Sequence, residues 1–154
     1  MINKLFSRTA LHEHAEPAER LRGVAELPPD SAELAGLLST DPAPEVRAAV
    51  AARCVDLGAL AGAWNTESEA SVRLALAAAL GHVLSETQDA TGAAALLGVK
   101  SLSDAVRAEV ARRAQDADRR RIAIAGIRDE PLLVDLALAA GHAEPHAGAV
   151  GGVL

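Results

Sequence analysis

Asp41-Pro-Ala-Pro-Glu-Val-Arg47-Ala-Ala-Val-Ala-Ala-Arg-Cys54, followed by Glu67-Ser-Glu-Ala-Ser-Val-Arg73-Leu-Ala-Leu-Ala-Ala-Ala-Leu80, is the stretch that decides the fold. In both halves an acidic, turn-like lead-in gives way to Val-Arg and then to an alanine-rich apolar run. Val-Arg returns at Val106-Arg107, and Leu21-Arg22 is a looser copy. The four arginines stand 25, 26 and 34 positions apart. Self-similarity on this scale marks a stacked array of helical units, none of which can bury its apolar face alone.

Composition agrees. Half of the 154 residues are apolar, yet Phe6 and Trp64 are the only aromatics. A core of Ala, Leu and Val suits close-packed helices better than a sandwich or barrel, and Ala and Leu are strong helix formers. A chain of this length fits one domain with a sizeable core. The net charge of −6 argues against a general polyanion binder. Cys54 stands alone, so neither a disulfide framework nor a cysteine-based zinc site is available. No apolar run approaches the roughly 18–20 residues of a membrane span. Met1–Arg8 lacks the apolar stretch and cleavage site of a signal peptide, and the cytoplasm is the expected compartment.

Nine short helices joined by tight turns are expected. Residues 1–15 read as a lead-in, with Ile2, Leu5 and Phe6 placed to cap the first unit. Pro17 opens a helix to about Leu27, which Pro28-Pro29 stops. Asp30 and Glu33 suggest a capping box for a helix to Leu38. From Pro44 to Cys54, Val46, Ala49, Val50 and Cys54 share one face. Asp56 starts a helix ending near Trp64. Val72, Ala75, Leu76, Ala79, Leu80, Val83 and Leu84 form the cleanest stripe. Asp89 begins a helix through Leu97, Ser103 caps one to about Gln115, and Asp116 or Asp118 opens one to Ile127. The last runs from Pro131 to Ala140, with Gly141 as its stop. The expected organisation is a lead-in at 1–15, a helical-repeat domain at 16–141 and a flexible tail at 142–154. Four antiparallel pairs preceded by one helix is the expected layout.

The lead-in Asp-x-x-x-Glu-Val-Arg-x-x-Ala resembles the second-helix signature of HEAT-type repeats, in the armadillo-like class of α-solenoids. It stands as Asp41 to Ala49, as Glu67 to Ala75, and in part as Asp104-Ala-Val106-Arg107. The resemblance implies a stack of helix pairs used as a protein-binding scaffold. It also implies a ladder in which turn acids and helix arginines tie repeats together: Asp41 with Arg47, Glu67 with Arg73, Asp104 with Arg107. Spacings of 25 and 26 are shorter than the usual period of about 40. At the fourth pair Val134-Asp135 replaces Val-Arg. A second resemblance covers residues 1–90. Met1-Ile-Asn-Lys-Leu-Phe6, Arg20 to Leu27, the Val46-Arg47 helix and Asp56 to Trp64 are similar to the start of certain long bacterial helical proteins of unknown function. It implies that the chain is an N-terminal piece of something longer.

No nucleophile–base constellation, phosphate-cradling loop or cofactor motif is legible, and a non-catalytic protein is expected. Cys54 lies on an apolar stripe and reads as a core thiol. His12-Glu13-His14 and His142, Glu144 and His146 contain ligand types for a metal, but Pro145 interrupts the second set and neither has a rigid frame. Residues 107–130 hold seven arginines against five acids. From them Arg112, Arg113, Arg119, Arg120 and Arg121 are the candidate binding surface. The partner expected is a protein or a downstream part of the same chain. Nucleic acid is the alternative, gripped through Arg107–Arg128, although no aromatic stands near to stack bases. The plainer possibility, that these arginines only solvate helix surfaces through i, i+4 ion pairs such as Asp116 with Arg120, stays open.

Overall fold

The computed structural model describes residues 10–143, with side chains through Gly141. Among them every regular element is helical. A 3-10 turn at Leu11–Glu13 precedes nine α-helices: α1 (Pro17–Glu26), α2 (Ala32–Thr40), α3 (Pro44–Arg53), α4 (Leu57–Thr66), α5 (Ala70–Glu86), α6 (Ala90–Leu97), α7 (Asp104–Arg113), α8 (Ala117–Gly126) and α9 (Glu130–Ala143). The expected placements of Ile2, Leu5 and Phe6, and of the tail from His142, lie outside the described side chains.

Helix starts follow side-chain caps. Asp56 accepts from the Ala59 N–H at 3.0 Å and Asp89 from Gly92 at 2.9 Å. Ser103 accepts from Ala105 and Val106, and Asp116, rather than Asp118, caps α8. Pro17 and Pro44 occupy first turns, where a missing N–H removes no helical bond. Several boundaries differ from expectation; α2 and α4 each run two residues further, to Thr40 and Thr66. α2 is capped by Ser31, whose Oγ accepts from Leu34 N–H at 3.2 Å. Asp30 lies one residue too early, because a cap must directly precede the first helical residue to reach its N2 or N3 donor. α7 ends at Arg113, since Ala114 is already extended. Gly141 does not stop α9. A glycine terminates a helix by turning left-handed, and no described residue has that backbone. Instead α1, α2, α3, α4, α7 and α8 pass straight into extended residues with ψ between 128° and 139°.

Residues to Val83 and residues from Leu84 form two compact units. In the first, α1 packs on the 3-10 turn and on α3, while α2 packs on α3 and α4. Its core is Val24, Leu34, Leu38, Val46, Val50, Cys54, Leu60, Trp64, Val72, Leu76 and Leu80. Gly23 is required where the 3-10 turn crosses α1, because a Cβ there would fall 2.3 Å from the His12 nitrogen. In the second unit, α7 packs on α8 and α9, and α6 on α8. Leu84, Ala93, Leu97, Leu102, Val106, Val110, Ala123 and Ile127 are buried there. None of the α9 side chains through Gly141 is fully buried.

Candidate functional site

Arginine occupies the fourth residue of α1, α3, α5, α7 and α8: Arg20, Arg47, Arg73, Arg107 and Arg120. The Cα–Cβ bond of a helix tilts toward its N-terminus, so from this position a guanidinium reaches back over the chain that leads into the helix. Nη1 of Arg20 donates to the carbonyls of His14 and Ala15, both at 2.9 Å. Arg47 takes the Asp41 carbonyl at 2.9 Å, and Arg73 takes Glu67 at 2.8 Å and Trp64 at 3.0 Å. Arg107 takes Leu102, and Arg120 takes Ala114 and Gln115, each at 2.7 Å. A cation at a helix start opposes the macrodipole; the carbonyls it gathers offset that.

This geometry moves the first copy of the motif from Arg22 to Arg20. Arg22 is exposed and, among the described residues, pairs with Glu19. The legible signal is proline: Pro17 precedes Arg20 by three residues as Pro44 precedes Arg47.

The acids of the expected ladder are displaced by one step. The Asp41 carboxylate goes to Arg20, at 2.8 Å from Nε and 3.1 Å from Nη2, and Asp41 Oδ1 also accepts from Ala43 N–H. The Glu67 carboxylate goes to Arg47 at the same two distances. Arg47 therefore meets Asp41, and Arg73 meets Glu67, at the main-chain carbonyl instead of the carboxylate. Asp104 does pair with Arg107, at 3.1 Å, and its other oxygen accepts the N–H groups of Arg128 and Asp129 at 2.9 Å. Arg73 lies 4.0 Å over the Trp64 ring, a cation–π contact.

Hydrogen bonding from Arg47 holds the Glu67 carboxyl below its usual range. Burial alone would raise Asp104, but its two backbone donors and Arg107 outweigh that and lower it. Carboxyls depressed in the folded state stabilise it above their unfolded pKa, and that stability is lost as the pH falls. Chemical melts should therefore weaken as the pH drops below the ordinary values of 4.5 for Glu67 and 3.8 for Asp104. Glu67→Gln should flatten that acid limb; an unchanged limb would remove Glu67 from the account.

The five arginines of the expected binding surface separate. Arg119 is buried, its Nη1 donating to the carbonyls of Leu84 and Thr87 at the end of α5. Arg120 is held by its two carbonyls. Arg112, Arg113 and Arg121 face solvent, with acids 3.9, 3.7 and 3.0 Å away at Glu109, Glu86 and Asp118. Arg121→Glu should leave the melting temperature nearly unchanged, whereas Arg73→Ala should cost about 1–2 kcal/mol. Paired thermal melts decide it, and the reverse ranking would invert the division between structural and surface arginines.

Two open clefts accompany these side chains. One of about 430 Å³, in the second unit, has polar walls from Glu86, Thr87, Gln88, Arg113, Gln115, Asp116 and Arg119. The other, of about 340 Å³ in the first unit, is mainly apolar. Cys54 is buried and its thiol is pushed up by that burial, away from the reactive thiolate. His14 Nδ1 accepts from Glu16 N–H, and His12 stands 3.8 Å from Glu13. Among the described residues no three His, Cys, Asp or Glu side chains gather as a metal site, and no helix is long and apolar enough to cross a membrane. His142, Glu144 and His146 lie outside the described side chains. Comparison with protein families, curated proteins and solved structures finds no match.

Proposed function

We propose that the chain is a HEAT-like α-solenoid that acts as a non-catalytic scaffold, binding a protein or a further part of its own chain. Two regularities support the architecture. Helices pack on the helix two positions later (α1 on α3, α2 on α4, α6 on α8, α7 on α9), and the fourth-position arginine recurs. The observation that carries the binding role is α9. Its sequence Glu130-Pro-Leu-Leu-Val-Asp-Leu-Ala-Leu-Ala-Ala-Gly141 is apolar on nearly every side, and such a helix is ordinarily covered all round. Here Leu132, Leu133 and Leu136 are half-buried, while Val134 is 55% and Leu138 57% exposed. Ile122 and Ile124 of α8 are exposed as well. A helix face that stays in water is ordinarily polar; this one is not. The nucleic-acid alternative loses support because Arg107, Arg119 and Arg120 are committed to carbonyls.

The test compares the chain with its Val134→Glu/Leu138→Glu variant. Wild type should retain a partner at fixed stoichiometry that the variant releases, with both melting alike. Identical retention by the two, or steeply salt-dependent binding of tRNA or duplex DNA, would overturn the reading.

A further inference from the structure

We propose that the apolar groove of the first unit receives a carboxylate-bearing aliphatic segment of a partner protein, anchored by Arg53. This rests on the scaffold reading and assigns its partner a chemistry. The groove lies where the end of α3 faces the middle of α5, with Ala52, Ala75, Ala78 and Ala79 on its walls and Val55, 46% exposed, at its edge. Small side chains let another backbone approach closely. Such a surface suits a helix or extended peptide better than nucleic acid, which would need several cations.

Arg53 is the charged group of that wall. Its Nη2 donates to the Leu27 carbonyl at 2.6 Å, but its Nε is buried without an acceptor. Among the described side chains no carboxylate stands within ion-pair distance of it, in contrast to Arg20 and Arg47. Those two arginines show what this chain does with the same donor. Each holds a carboxylate through its Nε–Nη2 edge, at 2.8 and 3.1 Å. The donor open on Arg53 is the one that each of them turns to an acid. Binding requires the half-buried Arg53 side chain, which lines the groove, to turn its Nε toward the incoming acid. An incoming carboxylate then supplies the missing acceptor and neutralises the charge, while its aliphatic neighbours cover the alanines. A charge-assisted bond of this kind is stronger than a neutral one and gives direction to an otherwise featureless surface.

The probe is an alanine-rich peptide of about eighteen residues, long enough to be helical, carrying Leu and Glu, together with its twin in which every Glu is Lys. Both are titrated to millimolar concentration against the whole chain with labelled alanine methyls. The Glu peptide should shift Ala52, Ala75 and Ala78, and the Lys twin should not. Arg53→Gln should weaken the Glu peptide about tenfold or more. Ala78→Glu, at an exposed position, should do the same without altering the melt, which keeps the test valid if Arg53→Gln unfolds. No binding, equal binding of the twins, indifference to both substitutions, or shifts confined to α9 would each overturn the proposal. If Val134→Glu/Leu138→Glu still releases a partner under those outcomes, the scaffold reading survives and the groove assignment alone falls.

Discussion

Leu80→Ala should lower the unfolding free energy by roughly 2–5 kcal/mol, the range for emptying a buried leucine site. Leu80 has no solvent exposure and shares a face of α5 with Val72, Leu76 and Val83. Seven of the nine described α-helices have only 8 to 10 residues, too short to persist alone, so their order comes from packed stripes of this kind. Alanine keeps helix propensity and removes only the packing. A loss of that size is a large share of the roughly 5–15 kcal/mol typical of a domain. Leu74 provides the control. It lies on the same helix but is 75% exposed, so Leu74→Ala should stay within about 0.5 kcal/mol. Urea melts of the two variants separate the faces, and overlaid curves would show that α5 is set in the wrong register.

The all-helical character and most helix boundaries are legible in the sequence because they are local. Alanine-rich stripes, Asp56, Asp89 and Ser103 as caps, and the two first-turn prolines each act within a few residues. Side-chain reach is not legible in the same way. Val-Arg looks like the repeated unit, which selects Arg22 in place of Arg20. The pairing depends on helix position, and the fourth residue is defined only once Pro17 or Ser103 has set the start. Asp41 and Glu67 read as partners of the arginine that follows each of them. Which neighbour a carboxylate faces depends on the turn that carries it, and here it faces back. Arg119, Arg120 and Arg121 are indistinguishable in the sequence, yet one is buried, one is held on carbonyls and one is exposed. A rotation of about 100° per residue separates them, but only packing says which direction is inward. Arg53 gives no signal at all, since an unpaired donor is a property of the assembled wall.

Arg107→Met should cost about 3–5 kcal/mol, as removing one partner from a buried charged network does. Arg107 is 4% exposed. It donates to the carbonyls of Leu97 at 2.9 Å, Leu102 at 2.7 Å and Val99, and to Asp104 at 3.1 Å. Those carbonyls belong to the end of α6 and the loop into α7, so a single side chain satisfies main-chain groups that water reaches poorly. Methionine keeps the aliphatic stem and removes every donor, leaving three acceptors and a carboxylate facing one another. Lysine should restore only part of the loss, because one ammonium cannot span a fork of fixed donors. Gly126 supplies an independent approach to the same group. A Cβ there would fall 2.5 Å from the Arg107 Nε, so Gly126→Ala should destabilise by about 1–3 kcal/mol through overpacking. Methionine is flexible enough to yield to that methyl, so the double variant should be less destabilised than the sum of the two. Chemical melts of the four proteins, with amide exchange across residues 97–104, measure both the loss and the coupling. If Arg107→Met were silent and the two changes simply additive, the inward arginine would not be holding the loop. It would then be free to serve a phosphate, and the nucleic-acid alternative would regain the cation that its burial takes away.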